Sequence, residues 1–213
     1  MTDLIGDLLR QVSRSFYLSL AILPRPLREP IGLAYLLARA SDTVADTRLL
    51  PRVERLGHLH TLRAAYSGAP ADVAAVGRAC ALLQSLEAER ELLTRVAEAL
   101  ARVDRLPADD RAAVRGVLST ITDGQVFDLV RFPGEDAGTL AALDTLAELD
   151  RYTYLVAGCV GEFWTDMTGA HTRAARGWDL SDMREKGIRF GKALQMTNIL
   201  RDCAKDLRIG RCY

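Results

Sequence analysis

Apolar residues recur along this chain at the spacing of amphipathic helices, and the strict alternation typical of strands is nearly absent. Alanine, leucine, arginine and glutamate dominate, and the breaks fall at glycine and proline. Helices are predicted over about 2–23, 32–47, 51–66, 72–105, 109–132, 145–167 and 181–206. The pattern therefore predicts an all-α domain of at least six helices, with no sheet.

Length and composition favour one domain over residues 1–213 in a reducing compartment. The 213 residues can bury a sizeable core, and 28 lysines and arginines balance 28 aspartates and glutamates, which does not favour nucleic-acid binding. No stretch has the apolar length of a signal-peptide core or a membrane span, so we expect a cytoplasmic protein. Four cysteines follow no metal or disulfide spacing: Cys80, Cys159, Cys203 and Cys212. Cys159 and Cys203 lie within apolar helical blocks and are predicted to be free thiols.

The helix predicted over 32–47 carries a polar stripe on an otherwise apolar sequence. At about 100° per residue its polar side chains share an arc of roughly 60°. They are Tyr35, Arg39, Asp42 and Asp46. Carboxylates buried without a cation would cost several kcal/mol, so we expect a cationic group to lie against this pair.

The last predicted helix carries a second stripe of the same kind. Gln195, Asn198, Asp202 and Asp206 share an arc of roughly 80° on a helix that is otherwise rich in isoleucine, leucine and methionine. One acidic pair at this spacing is usually a solvated helix face. Two such pairs on apolar helices that face each other would form a site for a hard divalent cation such as Mg²⁺.

Several blocks of the chain resemble one known family. SRSFYLSLAILP, AYLLARASDTVADT, YTYLVAGCVG and ALQMTNILRDCAKDLRIGRCY are similar, in order and spacing, to blocks of the squalene/phytoene synthases, and SDTVADT is most similar to the bacterial squalene synthase branch. The resemblance extends from about Ser13 to the last residue. It implies a class I isoprenoid synthase-like helical bundle with a central cavity. It also implies that family members continue for several helices, so we expect this chain to be incomplete at its C-terminus.

The resemblance also implies residue roles. Mg²⁺ would be held by Asp42, Asp46, Asn198, Asp202 and Asp206. The substrate would be bound by Ser13, Arg14, Ser15, Tyr35, Arg39, Val156, Gln195, Asn198 and Arg201. Tyr152 would act at the reacting carbons, although a buried tyrosine is more often a core residue. Asp123, Gly124, Phe127, Asp128 and Arg131 resemble a cavity-lining family helix, but a charged helix edge explains them equally well.

The activity implied is the head-to-head condensation of two farnesyl diphosphates through a cyclopropyl intermediate to squalene, with NADPH as hydride donor. A dehydrosqualene or phytoene synthase, which needs no NADPH, is the alternative, and the sequence has no G-x-G-x-x-G loop to decide it. Release of the apolar product can involve a peripheral membrane contact. Lys205 stands where the family usually has an acidic residue. An inactive, truncated prenyl-lipid-binding protein is the non-enzymatic alternative.

Overall fold

The computed structural model describes residues 3–13 and 16–213. Its α-helices in chain order are α1 (Leu9–Ser13), α2 (Tyr17–Ala21), α3 (Arg25–Asp46), α4 (Arg52–Tyr66), α5 (Val73–Ala81), α6 (Glu87–Thr94), α7 (Val96–Val103), α8 (Ala108–Arg131), α9 (Leu146–Thr153), α10 (Cys159–His171) and α11 (Leu180–Arg208). π-helical turns occupy Leu4–Leu8 and Tyr154–Gly158, and 3-10 turns occupy Ala137–Thr139 and Arg173–Ala175. The prediction of an all-α bundle is confirmed.

Helix α3 lies at the centre of the bundle, in contact with α4, α6, α7, α8 and α10. Proline favours the first turn of a helix, and Pro26 occupies that turn after Pro24 at the N-cap. Leu33, Leu36 and Leu37 are fully buried in the helix interior. The helix ends at Asp46, so its last two turns carry the first acidic pair out of the core.

The stretch predicted as one helix over 145–167 is divided by the π-helical turn Tyr154–Gly158 between α9 and α10. A π-turn inserts an extra residue into the helical repeat and changes the direction of the side chains that follow it. Helix α8 packs closely against this turn: a Cβ atom on Gly124 would lie only 2.7 Å from a methyl group of Val156. The turn therefore sets the relative orientation of Tyr152 and Val156.

Helix α11 packs backbone to backbone against α10 and the π-helical turn before it, at glycine positions. A Cβ atom on Gly161 would lie 1.9 Å from the carbonyl oxygen of Gly187, and one on Gly191 would lie 2.2 Å from that of Ala157. The rest of α11 has little cover: Phe190, beside the groove towards α10, is 65% exposed, Leu200 on the opposite side is 73% exposed, and Gly191 is the only buried residue of this helix. Glycine thus fixes α11 closely against the bundle along a single face.

We expect Gly161→Ala to lower the free energy of unfolding by about 1–3 kcal/mol, because the methyl group overlaps a backbone carbonyl that can move only if α11 moves. Chemical denaturation would measure the change. Gly116→Ala on α8 is the control: no atom lies within 4 Å of its Cβ position, so the substitution should stabilise the helix slightly. Equal stability of Gly161→Ala and wild type would contradict the close packing.

The prediction that the domain has no sheet is wrong in one detail. β1 (Ala141–Ala142) pairs in parallel with β2 (Arg211–Cys212). The chain turns into β2 at Gly210, whose φ of +80° is unfavourable for residues with a side chain. A Cβ atom there would also lie 2.7 Å from the carbonyl oxygen of Asp136. This short pairing returns the segment after α11 to the bundle.

All four cysteines are free thiols, which confirms the prediction made for Cys159 and Cys203. Burial raises the pKa of the Cys80 thiol to about 11 and that of Cys159 to about 12, so both stay protonated at neutral pH. Among the described helices, none is long and apolar enough to cross a membrane.

Candidate active site

A polar cavity of about 730 Å³ lies between the C-terminal halves of α3 and α11. Both acidic pairs line it, together with the segment that follows α11. Its full lining is Asp42, Asp46, Arg48, Tyr152, Gln195, Asn198, Ile199, Arg201, Asp202, Lys205, Asp206, Ile209, Arg211 and Tyr213. The two polar stripes of the sequence therefore face one space.

The Asp42 side chain is exposed to the cavity, and its carboxyl group contacts Gln125 of α8. Burial and the charge of Asp46 together raise the pKa of the Asp42 carboxyl to about 6, although a hydrogen bond from the Gln125 side-chain amide and the charge of Arg39 act in the opposite direction. The Oε1 atom of Gln125 is buried without a hydrogen-bond partner among the described residues. The carboxylate and the amide oxygen are thus incompletely paired in the protein alone.

The second pair is more solvated. The guanidinium of Arg201 donates two hydrogen bonds, 2.9 and 2.7 Å long, to Asp202, which lowers the pKa of that carboxyl. Partial burial raises the pKa of Asp206, although the positive charges of Arg211 and Lys205 act in the opposite direction. Asp206 is therefore the member of this pair that holds its negative charge at greater cost.

A fifth carboxylate, Asp128 on α8, holds the segment after α11 inside the cavity. Arg211 pairs with it at 2.6 Å, and the Tyr213 hydroxyl donates a short hydrogen bond to it. The Tyr213 ring stacks on that of Tyr152, with centroids 4.8 Å apart, and the two hydroxyls lie 3.4 Å apart. Burial raises the pKa of Tyr152 well above its ordinary value, so its hydroxyl keeps its proton. Asp128 and Tyr213 thus support the Tyr152 ring.

Two apolar spaces adjoin the polar end of the site. An inner channel of about 340 Å³ runs along α3 from Asp42 to Ile31. An outer groove of about 560 Å³ runs between α10 and α11, from Asn198 to Gly187. Their common wall is formed by Phe16, Val156, Val160 and Trp164. Phe16 stacks on Tyr35 at 5.4 Å and meets the edge of Trp164 at 6.5 Å, so aromatic rings close the space between them.

The structure brings most of the predicted site residues together. The four aspartates, Tyr152, Gln195, Asn198 and Arg201 line the polar cavity, and Val156 lines the adjoining recess of about 240 Å³ and both apolar spaces. The remaining three described residues are placed elsewhere. Tyr35 faces the inner channel, and Arg39 pairs with Glu89 on α6 at 2.7 Å. The buried Ser13 hydroxyl bonds back to the carbonyl of Leu9, and Arg14 and Ser15 lie outside the described residues.

The structure also adds residues to the site. Gln125, Asp128, Arg48, Arg211 and Tyr213 were not among the predicted site residues, although Asp128 belongs to the helix that the family resemblance marked. Two other charged residues that the resemblance marked on this helix form ion pairs away from the cavity: Asp123 pairs with Arg63, and Arg131 pairs with Asp144. Gly124 and Asp128 lie one turn apart on α8, and both line the recess beside Asp46. This spacing was the feature of the sequence from which Asp128 could have been predicted as a site residue.

The oxygen donors in the cavity suit a metal ion whose coordination is completed by a bound ligand. No three aspartate, glutamate, histidine or cysteine side chains in the described part of the chain are close enough to hold one ion by themselves. Each acidic pair is therefore a partial set. This fits Mg²⁺, which usually binds one or two carboxylates, several waters and substrate phosphates. The unpaired oxygen of Gln125 and the costly charge on Asp42 fit a cation arriving at this end of the cavity.

Comparison with known proteins identifies the family. Residues 9–213 match the family model described as squalene/phytoene synthase. The chain belongs to the squalene/phytoene synthase family. It is 29% identical to a squalene synthase of Eremothecium gossypii over 97% of this chain and 44% of the relative. It is 32% identical to a presqualene diphosphate synthase of Rhodopseudomonas palustris, over 93% and 57%.

Other members of the family extend the likeness. A 15-cis-phytoene synthase of Synechocystis sp. is 30% identical over 95% of this chain and 52% of the relative. A solved structure, the complex of TcSQS with the ligand E5700, matches with a TM-score of 0.66 and 27% identity. That match covers 95% of this chain and 53% of the solved one. The chain thus spans about half the length of the relatives that it matches.

Proposed function

We propose that this protein condenses two molecules of farnesyl diphosphate head to head, with Mg²⁺, through a cyclopropyl intermediate to squalene. One observation supports this most: a single polar cavity with two acidic pairs adjoins two separate apolar spaces. Two prenyl chains can lie on either side of the shared wall while their diphosphates lie in the polar cavity. A site for one prenyl substrate would need only one such space.

Asp42 and Asp46 on one side, and Asn198, Asp202 and Asp206 on the other, would hold the metal. When bound, Mg²⁺ would stabilise the negative charge that develops on the departing diphosphate. Arg201 already forms two hydrogen bonds with Asp202, so it fixes the direction of that carboxylate. Metal affinity then depends on how well these side chains are oriented before the substrate arrives.

The chain's own residues would protect and direct the allylic cation left after diphosphate departure. Phe16, Val160 and Trp164 form apolar and aromatic walls that keep water from the cation. The Tyr152 ring lies beside both the polar cavity and the recess lined by Val156, held there by Tyr213. Its hydroxyl oxygen can therefore accept the proton lost from a carbon at the junction, while its own proton moves to the Tyr213 hydroxyl and the Tyr213 proton moves to the Asp128 carboxylate.

Tyr152→Phe should lower kcat by about 100-fold with little change in KM, because the hydroxyl acts after the diphosphate has left. Steady-state kinetics with farnesyl diphosphate would measure both constants. Tyr154→Phe is the matched control: its hydroxyl bonds to Glu162 at 2.9 Å, and it lines neither the polar cavity nor the apolar spaces. A large rise in KM with unchanged kcat would make Tyr152 a binding wall.

The names of the relatives supply one further candidate. A presqualene diphosphate synthase is 32% identical to this chain, so release of the cyclopropyl diphosphate itself is the second possible reaction. Incubation with farnesyl diphosphate and Mg²⁺, with and without NADPH, tests the proposal. Squalene formed only with NADPH supports it, and presqualene diphosphate as the final product supports the second candidate. Absence of any condensation product, with substrate bound, would refute both.

A further inference from the structure

The cations of the polar cavity fall into two classes. Four of them line it: Arg48, Arg201, Lys205 and Arg211. Arg201 is paired with Asp202 through two hydrogen bonds, and Arg211 is paired with Asp128 at 2.6 Å. For Arg48 and Lys205, no ion pair or side-chain hydrogen bond is formed within the described part of the chain. These two cations are therefore available to a ligand.

Their positions next to the acidic pairs are specific. Arg48 follows Asp46 by two residues at the end of α3, and Lys205 lies between Asp202 and Asp206 on α11. The charge of Lys205 helps to lower the pKa of Asp202 and opposes the burial that raises the pKa of Asp206, so the ammonium group lies close enough to interact with both carboxyls. A fixed cation here repels a second cation at the same place and attracts an anion.

Lys205 lines the cavity between the two carboxylates of α11 and adds one positive charge beside Asp206. A flexible lysine acts as a point charge with three donors, which suits a phosphate oxygen. Arg48 lines the same cavity from the end of α3 and presents a guanidinium with five donors. The two cations therefore suit direct binding of an anion.

We propose that Arg48 and Lys205 form an anion subsite that binds a diphosphate group directly, without a metal ion. The subsite deepens the proposed function, on which it rests, by dividing the diphosphate binding between a metal-bound group and a cation-bound group. The ligand chemistry is a diphosphate, either that of a prenyl substrate or the inorganic diphosphate released by the reaction. Both side chains are exposed, so the attraction should weaken as ionic strength rises.

Isothermal titration calorimetry with inorganic diphosphate, at low ionic strength and in the presence of EDTA, tests the subsite. The wild type should bind diphosphate without metal, and Lys205→Met and Arg48→Met should each weaken that binding by about tenfold. Lys205→Glu should weaken it further and should tighten Mg²⁺ binding in a separate titration of Mg²⁺ alone. Lys186→Met is the matched control, because Lys186 lies on the same helix, outside the cavity, paired with Asp182.

A comparison of two ligands completes the test. Farnesyl diphosphate and inorganic diphosphate are each titrated into the wild type and the two Met variants. An equal loss of affinity for both ligands shows that the subsite binds the diphosphate group that they share, and a loss for one ligand alone identifies that ligand as the source. Unchanged diphosphate binding in both Met variants, or an equal loss in Lys186→Met, would overturn the subsite. These binding assays need no turnover. A protein that makes no product but shows the expected losses would refute the proposed function alone.

Discussion

Asp42→Asn should reduce turnover of farnesyl diphosphate by a factor of about 1000 or more, because it removes a proposed metal ligand whose charge would act in the transition state. Asparagine keeps the size of the side chain and can accept the hydrogen bond from Gln125. It can also donate to the Gln125 oxygen that has no partner among the described residues. The packing of α3 against α8 should therefore survive while the chemistry is lost.

The same substitution should not destabilise the metal-free protein. Burial raises the pKa of Asp42 from its ordinary value to about 6, so the folded state binds a proton more tightly than the unfolded state does. The carboxyl therefore lowers stability as pH rises from about 4 to 6, and the penalty remains above pH 6. Because the side chain opens onto solvent, we expect Asp42→Asn to recover only about 1 kcal/mol at pH 7. Thermal unfolding in EDTA at pH 4 and pH 7 measures the difference.

Asp109→Asn provides the control for Asp42→Asn. Asp109 is an exposed aspartate in the first turn of α8 and is absent from the cavity lining. Its substitution should leave turnover within about twofold and cost at most a few tenths of a kcal/mol. If Asp42→Asn turned over substrate at near wild-type rates, the acidic pair would be only a solvated helix end. If it unfolded at neutral pH, the carboxylate would have a structural role.

The helical periodicity of α3 and α11 predicted much of this site, but it could not predict the height of a residue along the helix. On α11 the stripe from Gln195 to Asp206 lies entirely on the polar cavity. On α3, Tyr35 and Asp46 share an arc but are 11 residues apart, which places them about 16 Å apart along the axis. Tyr35 therefore lies in the inner channel. Arg39 shares the stripe too, but its ion pair with Glu89 depends on where α6 packs.

The support of Tyr152 could not be predicted from local sequence at all. It requires Gly210 to turn the chain, β2 to pair with β1, and Asp128 to receive Arg211 and Tyr213 from 83 and 85 residues away. Two-residue strands carry no alternation that a periodicity analysis could detect. These contacts follow from tertiary packing.

Arg55→Met should lower the free energy of unfolding by about 3–5 kcal/mol, the largest loss of stability that we expect from a single substitution here. The Arg55 side chain on α4 is 1% exposed. It donates a 2.9 Å hydrogen bond to the carbonyl oxygen of Ala45, next to Asp46, and a short one to Glu135 in the loop after α8. Methionine has similar bulk, but it leaves that carbonyl and the inner oxygen of Glu135 without their donor.

Arg63→Met on the same helix is the matched control. Arg63 also pairs with a carboxylate, Asp123, but its side chain is 43% exposed, so its loss should cost at most about 1 kcal/mol. Arg55→Lys should fall between wild type and Arg55→Met, since an ammonium group cannot replicate the planar fork that reaches both partners. Urea denaturation of the three variants gives the order directly. Equal losses of unfolding free energy at positions 55 and 63 would contradict a stabilising role for the buried Arg55 side chain at the end of α3. Should Arg55→Met fail to fold, Arg55→Lys is compared instead with a fourth variant, Arg63→Lys, and the same order is expected.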